Sequence, residues 1–301
     1  MKSINFSSKK VQVATLSFLA LIWGSSFILM HRGLDSFQAD EVAAYRLFIV
    51  FVALIPFVKK DIHLLLEKRG LALLSVGLFG SALPYFLFVK AQTQIDSSLS
   101  GILNSLTPMF TLLFALVFFN QKFKRNSIIG VFLGFVGAAG LIYFSESQPT
   151  WESFSLYVFM PIVASACYGL NVNIIKMYLQ NVSPMSMTAL AFLWVGPFAG
   201  VYLFFFTDFV PHLVENPKGW ESLGYISILG VVGTALAVWI FNMLIKETSA
   251  LFASSVTYLI PIVAIAWGLV DGDQMNGFQF LFVGVILFGV AIINSKRKVN
   301  R

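Results

Sequence analysis

The stretch of residues 11–30 reads VQVATLSFLALIWGSSFILM and contains no charged side chain in 20 positions. A run of about 20 apolar residues is long enough to cross the hydrocarbon core of a bilayer as one α-helix. Lys9 and Lys10 precede the run, as basic residues precede a signal peptide, but the run is too long for one and no small-residue cleavage pattern follows it. We therefore predict that this stretch remains in the membrane as an anchor.

Nine further apolar runs follow, separated by short breaks that carry most of the charges. They cover residues 39–58, 70–89, 97–119, 127–144, 154–175, 184–206, 223–245, 250–270 and 277–293. Each is close to the length of a spanning helix, and none shows the alternation of a membrane β-strand. The sequence predicts an all-α polytopic membrane protein with ten transmembrane helices.

Composition excludes several other classes of protein. Of the 301 residues, 58% are hydrophobic and 11% are charged, whereas a soluble domain carries about 25% charged residues. There is a single cysteine, Cys167, so the chain is not a disulfide scaffold. The net charge of +6 is spread over the breaks, which argues against nucleic-acid binding and against intrinsic disorder.

Basic residues are distributed unequally between the two sides of the predicted bundle. Ten crossings place both termini on one side, and that side holds all Lys and Arg residues except Arg32, Arg46, Lys90 and Lys218. Loops rich in Lys and Arg stay in the cytoplasm. We expect a multi-pass protein of the bacterial plasma membrane with both termini cytoplasmic and with the lipid bilayer as a partner.

Short motifs recur in the two halves of the chain. A Trp23-Gly24 pair is followed seven residues later by a basic group, as is the Tyr168-Gly169 pair. Pro108 lies four residues after Asn104, and Pro261 lies four residues after Thr257.

These recurrences predict two repeats, at residues 11–144 and 154–294, flanked by short basic tails at 1–10 and 295–301. Five is an odd number of crossings, so the second repeat must be inverted relative to the first. Inverted repeats with a site between them are a construction of secondary transporters.

The motif Trp23-Gly24-Ser25-Ser26-Phe27, then Arg46, Pro108 and Pro261, resembles the EamA branch of the drug/metabolite transporter superfamily. The resemblance covers nearly the whole chain and implies a ten-helix transporter of the cytoplasmic membrane, often an exporter of amino acids or other small metabolites. Two features depart from the family pattern: Gln121 and Asp273 stand where a glutamate is usual, and Tyr168 replaces a tryptophan.

The prolines suggest a first set of binding residues. A proline inside a helix frees the carbonyl four residues before it, here those of Asn104 and Thr257. Such carbonyls need a partner in hydrocarbon, so they are candidate ligand acceptors near the midplane. The alternative is that Pro108 and Pro261 only kink their helices.

Deep aromatic and polar side chains supply further candidates. Trp23 lies about 18 Å from the inner boundary at 1.5 Å per residue, too deep for an interfacial anchor, and Trp194 is also near mid-depth. The candidate cavity residues are Trp23, Ser26, Tyr45, Tyr85, Tyr168, Asn171, Trp194 and Tyr258. Helix packing is the alternative role for each of them.

Arg46 is the clearest charge within a predicted span, a turn or two from its end. Such charges are costly and usually functional, although a structural tie or snorkelling is the alternative. No Asp or Glu lies in the interior of a span, because Asp40 and Glu41 stand at the very start of theirs, so neutral, zwitterionic or anionic small molecules are favoured as substrates over cations. We expect no metal and no cofactor.

The leading functional prediction is an alternating-access carrier, and we expect it to work as an exporter. An intramembrane enzyme is the first alternative, but no catalytic residues are predicted, because His31, His63 and His212 are all expected in loops. A channel is the second alternative, although no carbonyl filter or ring of like charge is apparent. A homodimer remains open.

Overall fold

The structure is a computed structural model, and it describes residues 8–95, 97–144, 156–270 and 277–293. Within these ranges the regular secondary structure is all helical, and no strand forms. The expectation for Asp273 and most of the two predicted tails lies outside the described residues.

The first half contains seven α-helices that make up five spans. They are α1 (Lys9–Leu34), α2 (Ala39–Val58), α3 (Lys68–Gly77), α4 (Leu83–Ala91), α5 (Ser97–Asn104), α6 (Thr107–Val117) and α7 (Arg125–Tyr143). A π-helical segment, Leu78–Ala82, joins α3 to α4, and a 3-10 helix, Lys59–Leu65, follows α2.

The second half has the same construction with one added helix. Its helices are α8 (Phe159–Tyr178), α9 (Pro184–Phe206), α10 (Phe209–Glu215), α11 (Gly219–Gly230), α12 (Ala237–Glu247), α13 (Ala250–Ser254), α14 (Val256–Val270) and α15 (Gly277–Ile293). A π-helical segment, Val231–Leu236, joins α11 to α12, as the corresponding segment joins α3 to α4. The short helix α10 was not predicted.

The helices match the predicted spans closely. Five continuous helical stretches are long and apolar enough to cross a membrane: Lys9–Leu34, Ala39–Val58, Lys68–Ala91, Pro184–Phe206 and Gly219–Glu247. Shorter apolar helices occupy other predicted spans. The prediction of an all-helical polytopic membrane protein is confirmed.

Two spans expected to be continuous are instead broken. The fourth is interrupted at residues 105–106 and the ninth at Ser255. Pro108 therefore stands in the first turn of α6, where its missing N–H costs no hydrogen bond. Pro261 lies inside α14.

The contacts between helices remain equivalent when the two halves of the chain are exchanged. Helix α2 packs on α9, and α7 packs on α15, so equivalent spans pair with each other. Helix α1 packs on α14, and α8 packs on α6, which is the same contact with the halves exchanged. This is the pattern expected of two halves related by a pseudo-twofold axis.

Glycines permit the closest of these contacts. A Cβ on Gly289 of α15 would lie 2.8 Å from the carbonyl oxygen of Gly130 in α7, and a Cβ on Gly137 would lie 2.7 Å from Ile286. These glycines serve helix packing, since only residues without side chains let two helix backbones approach this closely.

Candidate functional site

A cavity of about 1030 Å³, including its open mouth, lies where the two halves meet. Eight predicted site residues line it: Trp23, Ser26, Arg46, Tyr85, Asn104, Tyr168, Asn171 and Thr257. Both halves contribute to this wall, so the cavity occupies the junction that the repeat predicts. Their predicted contact with a substrate stays a prediction.

Arg46 is held in the cavity wall by one residue from each half. Its Nε donates a hydrogen bond of 2.7 Å to Thr234 Oγ1, and its guanidinium carbon lies 3.8 Å from the ring centroid of Tyr85. The side chain is 7% exposed. Among the described residues no carboxylate lies within ion-pair distance of Arg46, so its charge is balanced only by a ring and a hydroxyl.

The π-helical segment of the eighth span explains why Thr234 accepts from Arg46. The Thr234 hydroxyl donates its own proton to the carbonyl of Leu229, five residues earlier, over 3.2 Å. Its oxygen is therefore free to act as an acceptor. Local widening of the helix is a known device for exposing groups at functional sites.

Aromatic rings form the apolar part of the wall. Trp23 Nε1 donates to the carbonyl of Gly233 over 3.0 Å, and its ring meets Phe241 edge to face with centroids 5.1 Å apart. Tyr168 stacks on Phe88 with centroids 6.0 Å apart. Because the indole N–H is satisfied, the ring of Trp23 is a fixed, apolar surface of the cavity.

Two amides present unpartnered oxygens in the same wall. Asn242 Nδ2 donates to Thr188 Oγ1 over 3.0 Å, and the Thr188 hydroxyl donates to the carbonyl of Pro184. That chain fixes Asn242 Oδ1 as the free acceptor. Asn171 Oδ1 is also buried, and neither oxygen has a hydrogen-bond partner among the described residues.

The backbone makes room for Asn171. A Cβ on Gly80, in the π-helical segment of the third span, would lie 2.7 Å from the Asn171 amide nitrogen. A glycine at this position is what lets the amide lie against the helix backbone.

The carbonyls freed near the prolines are used inside the protein. The hydroxyl of Thr107 donates to the carbonyl of Asn104 over 2.8 Å, and the hydroxyl of Ser105 donates to the carbonyl of Thr257 over 3.2 Å. Each of these two carbonyls already accepts a hydrogen bond within the protein, and their expected role as ligand acceptors stays a prediction. The side chains of Asn104 and Thr257 still face the cavity.

Five predicted site residues lie outside the cavity lining. Tyr45 hydrogen-bonds Ser227 over 2.8 Å, and Tyr258, fully buried, donates to the carbonyl of Val131. Trp194 packs against the core with its Nε1 unpartnered among the described residues. Pro108 and Pro261 are buried at the start and in the interior of their helices. The structure places all five in packing positions.

Several lining residues were missed by sequence reasoning. They are Phe27, Met30, Val76, Ser81, Phe88, Thr107, Val172, Thr188, Ala191, Phe192, Val238, Phe241, Asn242, Ser254, Val256 and Ile260, together with Gly80. Of these, Thr107 carried the clearest signal, because it lies in the Asn104–Pro108 motif itself. The apolar members resemble every other residue of their spans.

Both ends of the bundle are tied by polar contacts outside the cavity. Lys176 Nζ donates to three carbonyls at the end of α12, those of Ile245, Lys246 and Thr248, at 3.0, 2.9 and 2.6 Å. At the end where α2 begins, Glu41 is 1% exposed and lies 2.9 Å from His212 Nδ1. These contacts tie α8 to the end of α12 and α2 to α10.

The three histidines were expected in loops, but all of them lie in helical segments. His31 lies in α1, His63 in the 3-10 helix after α2, and His212 in α10. In the described ranges no three His, Cys, Asp or Glu side chains come together in a group that could hold a metal.

An all-helical membrane protein with a central cavity between two similar halves has the construction of a secondary transporter. Residues 12–143 and 155–295 each match the EamA-like transporter family. The chain belongs to this family, and the resemblance found in the sequence is confirmed.

Similar proteins carry names of the same kind. The chain is 23% identical to "Uncharacterized inner membrane transporter YedA" of Escherichia coli (strain K12), over 91% of this chain and 88% of that one. It is 21% identical to "Protein PagO" of Salmonella typhimurium, over 94% and 92%. It is 22% identical to "Uncharacterized transporter YetK" of Bacillus subtilis, over 90% and 79%.

A solved structure described as "Crystal structure of protein" superimposes with a TM-score of 0.71 at 14% identity, covering 95% of this chain and 97% of the other. This likeness concerns the fold alone. Together the family and the fold make the protein a multi-pass membrane transporter.

Proposed function

We propose that the protein is an alternating-access carrier that exports small neutral, zwitterionic or anionic metabolites, such as amino acids and related compounds. The cavity at the junction of the halves is the observation that carries the proposal. Its wall combines aromatic rings, amides and one arginine, and no carboxylate lines it among the described residues. Such a wall has no counter-charge for a cationic substrate.

The proposal includes the cell membrane as location and the cytoplasm as the side of both termini. The distribution of Lys and Arg supports this orientation. Export as the direction rests on the family resemblance. The small molecule and the lipid bilayer are the partners that this function requires, and a homodimer stays a prediction.

The test is counterflow in proteoliposomes that contain the purified protein. Vesicles are loaded with a mixture of unlabelled amino acids and related metabolites, and uptake of each labelled compound is followed. A carrier gives transient accumulation that saturates with concentration, whereas a channel gives equilibration without accumulation. Failure of every compound to accumulate would contradict the proposal.

Two variants connect the flux to the cavity. Trp23→Ala and Asn104→Ala change side chains that line it, and we expect transport to fall at least about tenfold, the factor for losing roughly 1.4 kcal/mol of binding. Trp220→Ala is the matched control, since Trp220 is 67% exposed and does not line the cavity. Export is then tested by comparing metabolites inside and outside cells with and without the protein.

A further inference from the structure

Several hydrogen-bond donors of the Arg46 guanidinium have no partner among the described residues. Only its Nε has a hydrogen-bond partner in the described part of the chain. Arginine carries five N–H donors in a planar fork, so the donors on its two terminal nitrogens have no partner there. The side chain is more than nine-tenths buried and lines the cavity.

Burying the charge of Arg46 costs too much free energy for this side chain to serve in helix packing alone. A charge inside a membrane protein normally pairs with an opposite charge or with several carbonyls, and Arg46 has one hydroxyl and one ring. A carboxylate matches the fork with two parallel hydrogen bonds. Contact with Tyr85 and Thr234 fixes the fork's plane and so prepares it for a ligand.

The unpartnered amide oxygens define a second requirement. Asn171 is 7% exposed and Asn242 is 1% exposed, and their Oδ1 atoms are acceptors without a donor among the described residues. Asn242 lies eight residues beyond Thr234 on the same span, which places it on the order of 12 Å further along the helix axis. Acceptors at this distance from a cation suit N–H donors on the same ligand.

We propose that Arg46 is an anion subsite that binds the carboxylate of the transported molecule, while the amide oxygens of Asn171 and Asn242 accept N–H donors from the rest of it. The ligand is an organic carboxylate with an apolar body and at least one N–H donor. This inference rests on the proposed function and adds to it the residue that selects the charge of the substrate.

The repeat gives the subsite a direction. Helix α2 begins at Ala39 and α9 begins at Pro184, so the position equivalent to Arg46 is Ala191, which also lines the cavity. The residue of the first half that is equivalent to Thr234 is Ser81, because each is the fourth residue of its π-helical segment. The cation therefore exists in one half only, and it orients the carboxylate toward α2.

The test measures binding by purified protein in lipid nanodiscs, using isothermal titration calorimetry. The probes are matched pairs of amino acids and dipeptides, each with a free carboxylate and as its C-terminal amide. We expect at least one carboxylate to bind about tenfold or more tightly than its amide, as for the loss of a charge-assisted pair. If no carboxylate binds more tightly than its amide, the proposal is wrong.

Variants assign that preference to Arg46. We expect Arg46→Met to abolish the preference for carboxylate while the amide binds as before. Arg46→Lys keeps the charge but loses the fork, so an intermediate preference is expected. The matched control is Arg32→Met, which removes an exposed arginine whose side chain is 57% accessible, and it should leave the preference unchanged. Survival of the full preference in Arg46→Met would overturn the proposal.

Two further measurements keep the outcome decisive. If Arg46→Met does not fold, Thr234→Val tests the same subsite, because it removes the acceptor that fixes the fork while leaving the charge. We expect it to weaken the carboxylate about twofold to tenfold more than the amide; no change would count against the proposal. Counterflow distinguishes the anion subsite from the proposed carrier function. Flux without a preference for carboxylates contradicts the subsite alone, whereas absence of flux contradicts the carrier.

Discussion

At the scale of single residues, Trp23 links the cavity to the backbone of the eighth span. Its Nε1 donates to the carbonyl of Gly233 over 3.0 Å. Trp23→Phe removes this donor and leaves the carbonyl unpaired, so we expect the protein to lose about 1 kcal/mol of stability, the scale of interhelical hydrogen bonds in membranes. Thermal unfolding in detergent measures this loss.

Trp220→Phe is the control for that change, since Trp220 is largely exposed. A comparable decrease in melting temperature for both variants would show that the hydrogen bond to Gly233 has no special role.

Glu41 and His212 form a second testable pair. Glu41 also accepts from the backbone N–H of Gln38 over 2.8 Å, so it closes the first turn of α2 while holding α10. His212→Leu leaves the buried carboxylate without its side-chain partner, and we expect about 1–2 kcal/mol of destabilisation, below the cost of breaking a fully buried pair because His212 is 34% accessible.

A double-mutant cycle separates this interaction from packing. In a Glu41→Gln background the further change His212→Leu should cost much less than in the original protein. Equal costs in the two backgrounds would mean that the two side chains are not coupled.

Sequence reasoning found site residues whose chemistry is unusual in a membrane. Arg46 and Trp23 stand out because a charge or an indole N–H deep in an apolar run needs a partner. Tyr45 and Tyr258 were also predicted in the cavity, yet the hydroxyl of each forms a hydrogen bond with a neighbouring helix. A span that is apolar on all faces does not reveal which face is turned to the cavity, so these assignments needed the structure.

At the scale of helices, the contact between α7 and α15 is set by glycine. Gly289→Ala places a Cβ 2.8 Å from the carbonyl oxygen of Gly130 and from the nitrogen of Gly134. Backbone atoms cannot move aside as a flexible side chain can, so we expect about 1–3 kcal/mol of destabilisation from overpacking. The melting temperature of the purified variant is the measurement.

The same helix supplies the control. A Cβ on Gly284 meets no atom within 4 Å, and alanine is the better helix former by about 1 kcal/mol. Gly284→Ala should be neutral or slightly stabilising. A similar loss in both variants would argue that the close contact is unimportant.

The spans themselves were predictable, but their interruptions were not. Hydrophobic length alone located α2, α9 and α15 with the ends found in the structure. The prolines indicated where the fourth and ninth spans bend, yet not that α6 begins at Thr107 as a new helix. The π-helical segments carry no such marker, since Gly80 and Gly233 look like packing glycines in sequence.

At the scale of the whole molecule, two five-span halves require both termini on one side of the membrane. We expect green fluorescent protein to fluoresce, and alkaline phosphatase to be inactive, when fused to the C-terminus and, separately, to the N-terminus. Reporters that place the two ends on opposite sides would contradict an even number of crossings. Fusions at 145–155 are the control, because that segment is predicted on the opposite side.

The organisation of the whole molecule was predictable because it is written twice in the chain. The recurrence of Trp23-Gly24 as Tyr168-Gly169 predicted two repeats, and the contacts of α1 with α14 and of α8 with α6 are equivalent when the two halves are exchanged. What the repeat could not supply is the chemistry at the junction, since Arg46 has no counterpart in the other half.

Helices α7 and α15 pack tightly on each other, and none of their described residues lines the cavity. The contact between α7 and α15 therefore contributes to thermal stability at a place separate from the cavity wall. Mutations on the exterior of this helix pair can raise thermal stability for crystallisation or biosensing without altering which compounds the cavity recognises.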